Sequence, residues 1–260
     1  MRCLYSLITL VAAIQLVRGD EWVETPGSWE YYEESHGSEG GYGNWKNQGW
    51  EDNQDYGEKK CYAPATQAPF NNKAVTFNEK YDPANYDTVV RGPGYTAQSL
   101  TQAGWGPGKE VRVAGYKFTL PQWAKGKNDN WIEQGQKVKV TSVPGATRLG
   151  FLLSSDMGNF RGKYTIVYTD CSRQVEQIGS SDWKWKIELA PGTKIAVNGL
   201  AASNGGDVRI YIAEATLDPS REIAYLEFPT AKEIYDVHPY TKGVKGHIHV
   251  FALSTKKEGY

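Results

Sequence analysis

Short runs in which apolar and polar residues alternate fill much of the chain beyond residue 71. Tyr164, Ile166 and Tyr168 fall on one face of the segment 163–169, because successive side chains of a strand point to opposite faces. Turn-forming Gly, Pro and Asn residues interrupt such runs about every 8–12 residues. This spacing predicts an all-β fold, an antiparallel β-sandwich of jelly-roll-like type.

The alternation also sets the limits of the predicted strands. These strands are 111–119, 136–142, 148–153, 163–169, 173–178, 184–189, 194–198, 208–216, 222–228 and 246–254. Helix is predicted only for 96–103, where Gly104 supplies a C-cap, and for 230–235. Residues 61–260 are therefore predicted to form a β-sandwich domain with little helix.

The first 19 residues have the layout of a secretory signal peptide. Arg2 provides the positive charge, and an apolar run of roughly fourteen residues follows from Leu4 to Val17, too short to span a bilayer. No later run reaches the roughly 18 apolar residues that a membrane helix needs. These features predict a secreted, extracellular protein that starts at Asp20 and has no membrane partner.

Residues 20–60 differ in composition from all that follow. They are rich in Trp, Tyr, Gly and acidic residues, and Val23 is their lone branched aliphatic residue. Such a segment cannot bury enough apolar surface to offset chain entropy, which predicts a disordered acidic, aromatic-rich N-terminal arm. The arm is either a tether that grips a glycan or a protein partner, or a solubilising spacer, and the sequence leaves both interpretations open.

Charge and cysteine content narrow the class of protein. The chain carries 29 Lys and Arg against 30 Asp and Glu, a balance that argues against nucleic acid as a partner because nucleic acids bind clustered positive charge. Cys61 and Cys171 remain once Cys3 leaves with the signal peptide. In an oxidising compartment they most simply pair as a disulfide; the alternative is two buried or free thiols.

A series of short motifs runs in one order between residues 70 and 254. The motifs include Asp82-Pro83-Ala84-Asn85-Tyr86-Asp87, Gly94-Tyr95-Thr96-Ala97-Gln98-Ser99-Leu100, Gly115-Tyr116-Lys117-Phe118-Thr119-Leu120-Pro121, Leu149-Gly150-Phe151 and Tyr168-Thr169-Asp170. Their order resembles the β-sandwich accessory modules found near the C-terminus of secreted bacterial glycoside hydrolases. The resemblance implies a sandwich that contacts carbohydrate or packs on another domain and is not itself the hydrolase. The chain departs from the pattern at Cys171, where a turn glycine is expected.

Five tryptophans of the body are candidates for sugar binding, because aromatic rings stack on the apolar faces of sugars. They are Trp105, Trp123, Trp131, Trp183 and Trp185. Trp123 and Trp131 flank the polar loop 125–130. Trp183 and Trp185 lie two apart and would share one face of a strand. For these rings the alternative is a place in the core.

No catalytic or metal-binding constellation accompanies these residues. His247 and His249 project from one face of a predicted strand, a spacing that metals use, but a third ligand is not evident. Asn128, Asp129 and Asn130 offer oxygens for a structural calcium ion without the spacing of an EF-hand; no other cofactor is expected. The nucleophile elbow, the zincin motif and the phosphate loop are all absent from the sequence.

The sequence therefore predicts a secreted, non-catalytic protein that binds a polysaccharide or a cell-wall glycan. One alternative is a secreted structural or effector-type protein that binds a protein partner through the arm. Another alternative is a glycoside hydrolase, which needs two opposed carboxylates that the sequence does not pair.

Overall fold

The computed structural model describes residues 59–87, 89–185, 189–237, 243 and 245–258. The predicted signal peptide and the predicted arm up to residue 58 lie outside these ranges. The described residues belong to one compact unit, 54–260. Within them, no helix combines the length and the apolar character needed to cross a membrane.

Strands make up nearly all of the regular structure. In chain order the elements are β1 (Val75–Thr76), β2 (Tyr95–Thr96), α1 (Ala97–Gln102), β3 (Glu110–Val113), β4 (Tyr116–Thr119), β5 (Lys137–Val138), β6 (Arg148–Ser155), β7 (Phe160–Tyr168), β8 (Arg173–Ser180), β9 (Thr193–Ala201), β10 (Asp207–Thr216), β11 (Ile223–Glu227), β12 (Ile234–Asp236) and β13 (Ile248–Lys256). The predicted all-β class is confirmed.

Two antiparallel sheets form the sandwich. One has four strands in the order β13-β6-β10-β9. The other has five strands in the order β12-β7-β11-β5, with β8 also paired to β7. The hairpin β3–β4 and the short parallel pair β1–β2 are separate from both sheets.

The inner faces of the two sheets enclose an aromatic and aliphatic core. Tyr164, Ile166 and Tyr168 of β7 meet Phe151 and Leu153 of β6 in it, and all five are buried. The shared face predicted for the three β7 residues is therefore present. Each such side chain contributes roughly 1.5–3 kcal/mol when it is removed from water.

The four-stranded sheet is buried on its other face as well. Val208, Ile210 and Ile212 of β10 point into a second cluster, which is covered by β4, α1 and the loop that carries Tyr86. A strand covered on both faces has no polar side, which explains the nearly continuous burial of β6.

Helix α1 lies within the predicted 96–103, and Gly104 follows it at φ 82°. The predicted strand 111–119 is instead a hairpin, because Ala114 and Gly115 both have positive φ and form a two-residue turn between paired strands. The predicted helix 230–235 is wrong: a turn in which Glu233 N–H donates to Thr230 O at 2.9 Å leads into β12.

Candidate functional site

Four of the five candidate tryptophans belong to the interior. Trp105, Trp123, Trp131 and Trp183 expose between 3% and 8% of their surface, whereas Trp185 exposes 54%. Trp131 also donates its indole N–H to Ala68 O at 3.0 Å. The four buried rings expose too little surface to stack on a sugar, and of the five candidates only Trp185 has the exposure that stacking requires.

Trp183 and Trp185 do not share a strand face, because the backbone turns between them. One oxygen of Asp182 accepts hydrogen bonds from Lys184 N at 2.8 Å and Trp185 N at 2.7 Å. The other oxygen accepts from Gly158 N at 2.7 Å. The predicted strand 184–189 is therefore replaced at its start by a turn; residues 186–188 lie outside the described residues.

The loop of residues 77–92 carries a concentration of exposed apolar side chains. Phe77, Tyr81, Val89 and Val90 expose 53%, 67%, 66% and 52% of their surface. Because several exposed apolar side chains lie on one short segment, this loop is a candidate surface for a ligand or a partner. A search for tryptophan as the sugar-stacking residue does not identify this loop, because the loop contains no tryptophan.

A buried ion pair fixes the first half of the 77–92 loop. Lys73 Nζ lies 2.6 Å from Asp82 Oδ1, and the two side chains are only 10% and 3% exposed. Burial alone would raise the pKa of Asp82, but hydrogen bonds from Lys73 and from the backbone N–H groups of Phe77 and Gly126 outweigh it and lower that pKa. The carboxylate thus joins the 77–92 loop to the loop that contains Gly126.

Hydrogen bonds between residues of the 77–92 loop itself define the shape of the loop. At its neck, Ala84 and Gly92 exchange two backbone hydrogen bonds, of 2.9 and 3.2 Å. Asn78 Oδ1 accepts from the N–H groups of Lys80 and Tyr81. The backbone that carries Lys80 and Tyr81 is therefore already arranged, which lowers the entropy cost of binding.

Tyr86 anchors the second half of the loop in the core. Its hydroxyl lies 2.5 Å from Ser154 Oγ, which lies 2.9 Å from the Tyr95 hydroxyl. Tyr95 donates to Arg209 O at 2.6 Å, and a carbonyl only accepts. Ser154 therefore donates to Tyr95, and Tyr86 donates to Ser154.

An open pocket of about 590 Å³ lies against the 77–92 loop. Its lining consists of Glu79, Lys80, Pro83, Ala84, Asn85, Arg91 and Gly92. Two of these residues, Glu79 and Lys80, lie in the turn between the exposed rings of Phe77 and Tyr81. Aromatic faces beside charged and amide side chains are the combination that sugar recognition uses.

The two histidines of the His247-Ile248-His249 motif have different surroundings. His247 Nδ1 lies 2.5 Å from Oε1 of the buried Glu133, and this hydrogen bond outweighs burial and raises the pKa of His247. The buried His249 lies 3.6 Å from Asp156. Among the described residues, no group of three or more His, Cys, Asp or Glu is arranged to hold a metal ion.

The candidate calcium ligands Asn128, Asp129 and Asn130 make hydrogen bonds within the protein. Asp129 accepts from Ala74 N at 2.8 Å and Val75 N at 2.9 Å. Burial raises the pKa of Asp129 to about 6 despite these bonds. Asn128 donates to Phe70 O, and Asn130 donates to Asp129. These side chains link loops through hydrogen bonds.

Cys61 and Cys171 form the predicted disulfide, with 5.0 Å between their Cα atoms. Cys61 N–H also donates to Thr169 O at 2.9 Å. Cys171 has φ 62°, in the left-handed region that glycine adopts most easily. The disulfide therefore lies on a turn with left-handed backbone, at the position where the resemblance to accessory modules implies glycine.

Comparison of the sequence with known protein families and with curated proteins found no match. The choice of the candidate site therefore rests on the geometry of the described residues alone.

Proposed function

We propose that this protein is a secreted, non-catalytic β-sandwich that binds a polysaccharide or cell-wall glycan through the 77–92 loop. The observation that carries the proposal is the pocket of about 590 Å³ that lies against the same loop on which Phe77 and Tyr81 are exposed. The resemblance to accessory modules of glycoside hydrolases points in the same direction.

The chemistry of the lining suits sugars. An aromatic face covers the C–H groups of a pyranose ring, while amide, carboxylate and cationic side chains bind its hydroxyls. Asn85, Glu79 and Arg91 provide such groups in the lining of the pocket. Trp185, on its turn held by Asp182, is an additional exposed ring at which a long polymer would gain contact.

Polysaccharide pull-down with a panel of insoluble glycans tests the proposal. Phe77→Ala and Tyr81→Ala should each weaken binding about 3- to 10-fold, in line with the energy of one stacked ring. Tyr62→Ala is the matched control, since Tyr62 is an exposed aromatic residue, at 76%, that lies outside the 77–92 loop. Equal binding by all three variants, or no binding by the wild type to any glycan, contradicts the proposal.

A protein partner is the second candidate function. Val89 and Val90, exposed side by side on the same loop, favour it because aliphatic side chains stack poorly on sugars. Under this alternative, Val89→Ser and Val90→Ser weaken partner capture while glycan panels stay negative.

A further inference from the structure

The pocket beside the 77–92 loop differs in charge from the chain as a whole. Lys80, Arg91 and Glu79 are its ionisable lining residues, so two cations face one carboxylate. The whole chain carries a formal net charge of −1. A ligand in the pocket therefore faces a local excess of positive charge that the net charge of the chain does not reveal.

The two cationic side chains of the pocket, Lys80 and Arg91, form no ion pair with an acidic residue of the described part of the chain. Lys80 Nζ instead lies 5.2 Å from the centre of the Tyr81 ring.

The two aspartates of the 77–92 loop, Asp82 and Asp87, bind groups of the protein. Asp82 is bound to Lys73. Asp87 Oδ1 accepts from Val89 N at 2.8 Å and Val90 N at 2.7 Å. Both carboxylates are thus already engaged in contacts that hold the loop.

We propose that the glycan bound here is a uronate polymer, whose ring stacks on Tyr81 and whose carboxylate pairs with Arg91 and Lys80. The guanidinium fork of Arg91 matches the two oxygens of a carboxylate. A neutral sugar offers the two cations no opposite charge. The inference rests on the proposed function and adds the chemical class of the ligand.

Polygalacturonate and its fully methyl-esterified form are the matched probes, because they share one backbone and differ only in the carboxylate. Affinity electrophoresis should show the wild type binding the acid polymer at least about fivefold more tightly than the ester. NaCl at roughly 0.5 M should remove most of that difference, since it shortens the Debye length to about 4 Å.

Three variants assign the effect to the pocket. Arg91→Gln should weaken binding of the acid polymer about 3- to 10-fold and leave binding of the ester unchanged. Glu79→Gln should strengthen binding of the acid polymer, because it removes the one lining carboxylate. Arg112→Gln is the control: Arg112 is exposed on β3, outside the pocket lining, and should bind both polymers as the wild type does.

Equal affinity of the wild type for the two polymers, or an Arg91→Gln protein that still prefers the acid form, overturns the inference. If neutral glycans then bind in a manner sensitive to Tyr81→Ala, the proposed function stands without it. If the wild type binds neither acidic nor neutral polysaccharides, both the proposed function and the inference of a uronate ligand are wrong.

Discussion

The phenol ring of Tyr86 stacks on the imidazole of His249, with ring centroids 3.9 Å apart and planes inclined by 24°. Both side chains are fully buried. His249 Nδ1 lies 3.0 Å from Asn130 Oδ1, and the amide of Asn130 donates to Asn72 and Asp129. The ring that roots the 77–92 loop is therefore fixed against a histidine that is itself held in one orientation.

Truncation of Tyr86 should destabilise the whole sandwich. We expect Tyr86→Ala to lower the free energy of unfolding by about 3–5 kcal/mol, because it leaves a cavity between the loop and β13. Tyr86→Phe should cost only about 1 kcal/mol, since the ring stays and Ser154 keeps Tyr95 as a partner. Urea unfolding of both variants measures this, and equal losses would contradict it.

The Lys73–Asp82 pair should behave as a buried pair, unlike the surface pair Lys117–Glu110. Asp82→Ala leaves a buried ammonium without its carboxylate and should cost about 3–5 kcal/mol. Glu110→Gln, with its side chain 45% exposed, should cost less than about 1 kcal/mol. Denaturant unfolding compares them; similar losses would show that Lys73 finds water after the substitution.

The pH dependence of the same pair has a definite sign. The pKa of Asp82 is lowered from 3.8 in the folded protein. Its contribution is therefore complete above pH 3.8 and is lost as pH falls through the lower folded value. Acid unfolding of the wild type should be steeper than that of a Lys73→Met, Asp82→Leu double variant, which has no such carboxylate.

His247 should make stability fall at higher pH. Its folded pKa is raised above 6.5, so the bond to Glu133 contributes fully below pH 6.5 and is lost as pH rises through the raised value. Urea unfolding between about pH 5.5 and 8.5 should show this decline in the wild type, and His247→Gln should flatten it. A decline of equal size in the variant would assign it to another group.

The period-two pattern located most strands because a strand's alternation is local. The shared face of Tyr164, Ile166 and Tyr168 can be predicted from residues 163–169 alone. The burial of Trp183 could not be predicted in this way, because it depends on Tyr86, which lies 97 positions earlier in the sequence. The two ring centres are 4.6 Å apart in the structure. The position of the pocket at Arg91 could not be predicted for a related reason, because the bonds from Lys73 and Gly126 to Asp82 that hold its loop come from outside that loop.

A substitution in the turn of the β3–β4 hairpin should make the protein more stable. Ala114 has φ 48° and precedes Gly115 at φ 82°, as in a type I′ turn that prefers Asn-Gly. We expect Ala114→Asn to raise the free energy of unfolding by about 1 kcal/mol, since asparagine adopts left-handed backbone more readily than alanine. Ala114→Val should lower it. Thermal unfolding ranks the three, and an unchanged or lower midpoint for asparagine would contradict the assignment.

The left-handed backbone at Cys171 makes the choice of replacement residue matter once the disulfide is removed. The bond closes a sequence separation of 110 residues, and its loss should cost about 2–5 kcal/mol. Cys61→Ser with Cys171→Gly should nonetheless be about 1 kcal/mol more stable than Cys61→Ser with Cys171→Ser, because φ 62° strains serine and suits glycine. The two variants differ at one position and both lack the bond, so urea unfolding isolates the backbone effect. Equal stability would mean that the turn relaxes when the disulfide is absent, and that the bond itself imposes the left-handed conformation.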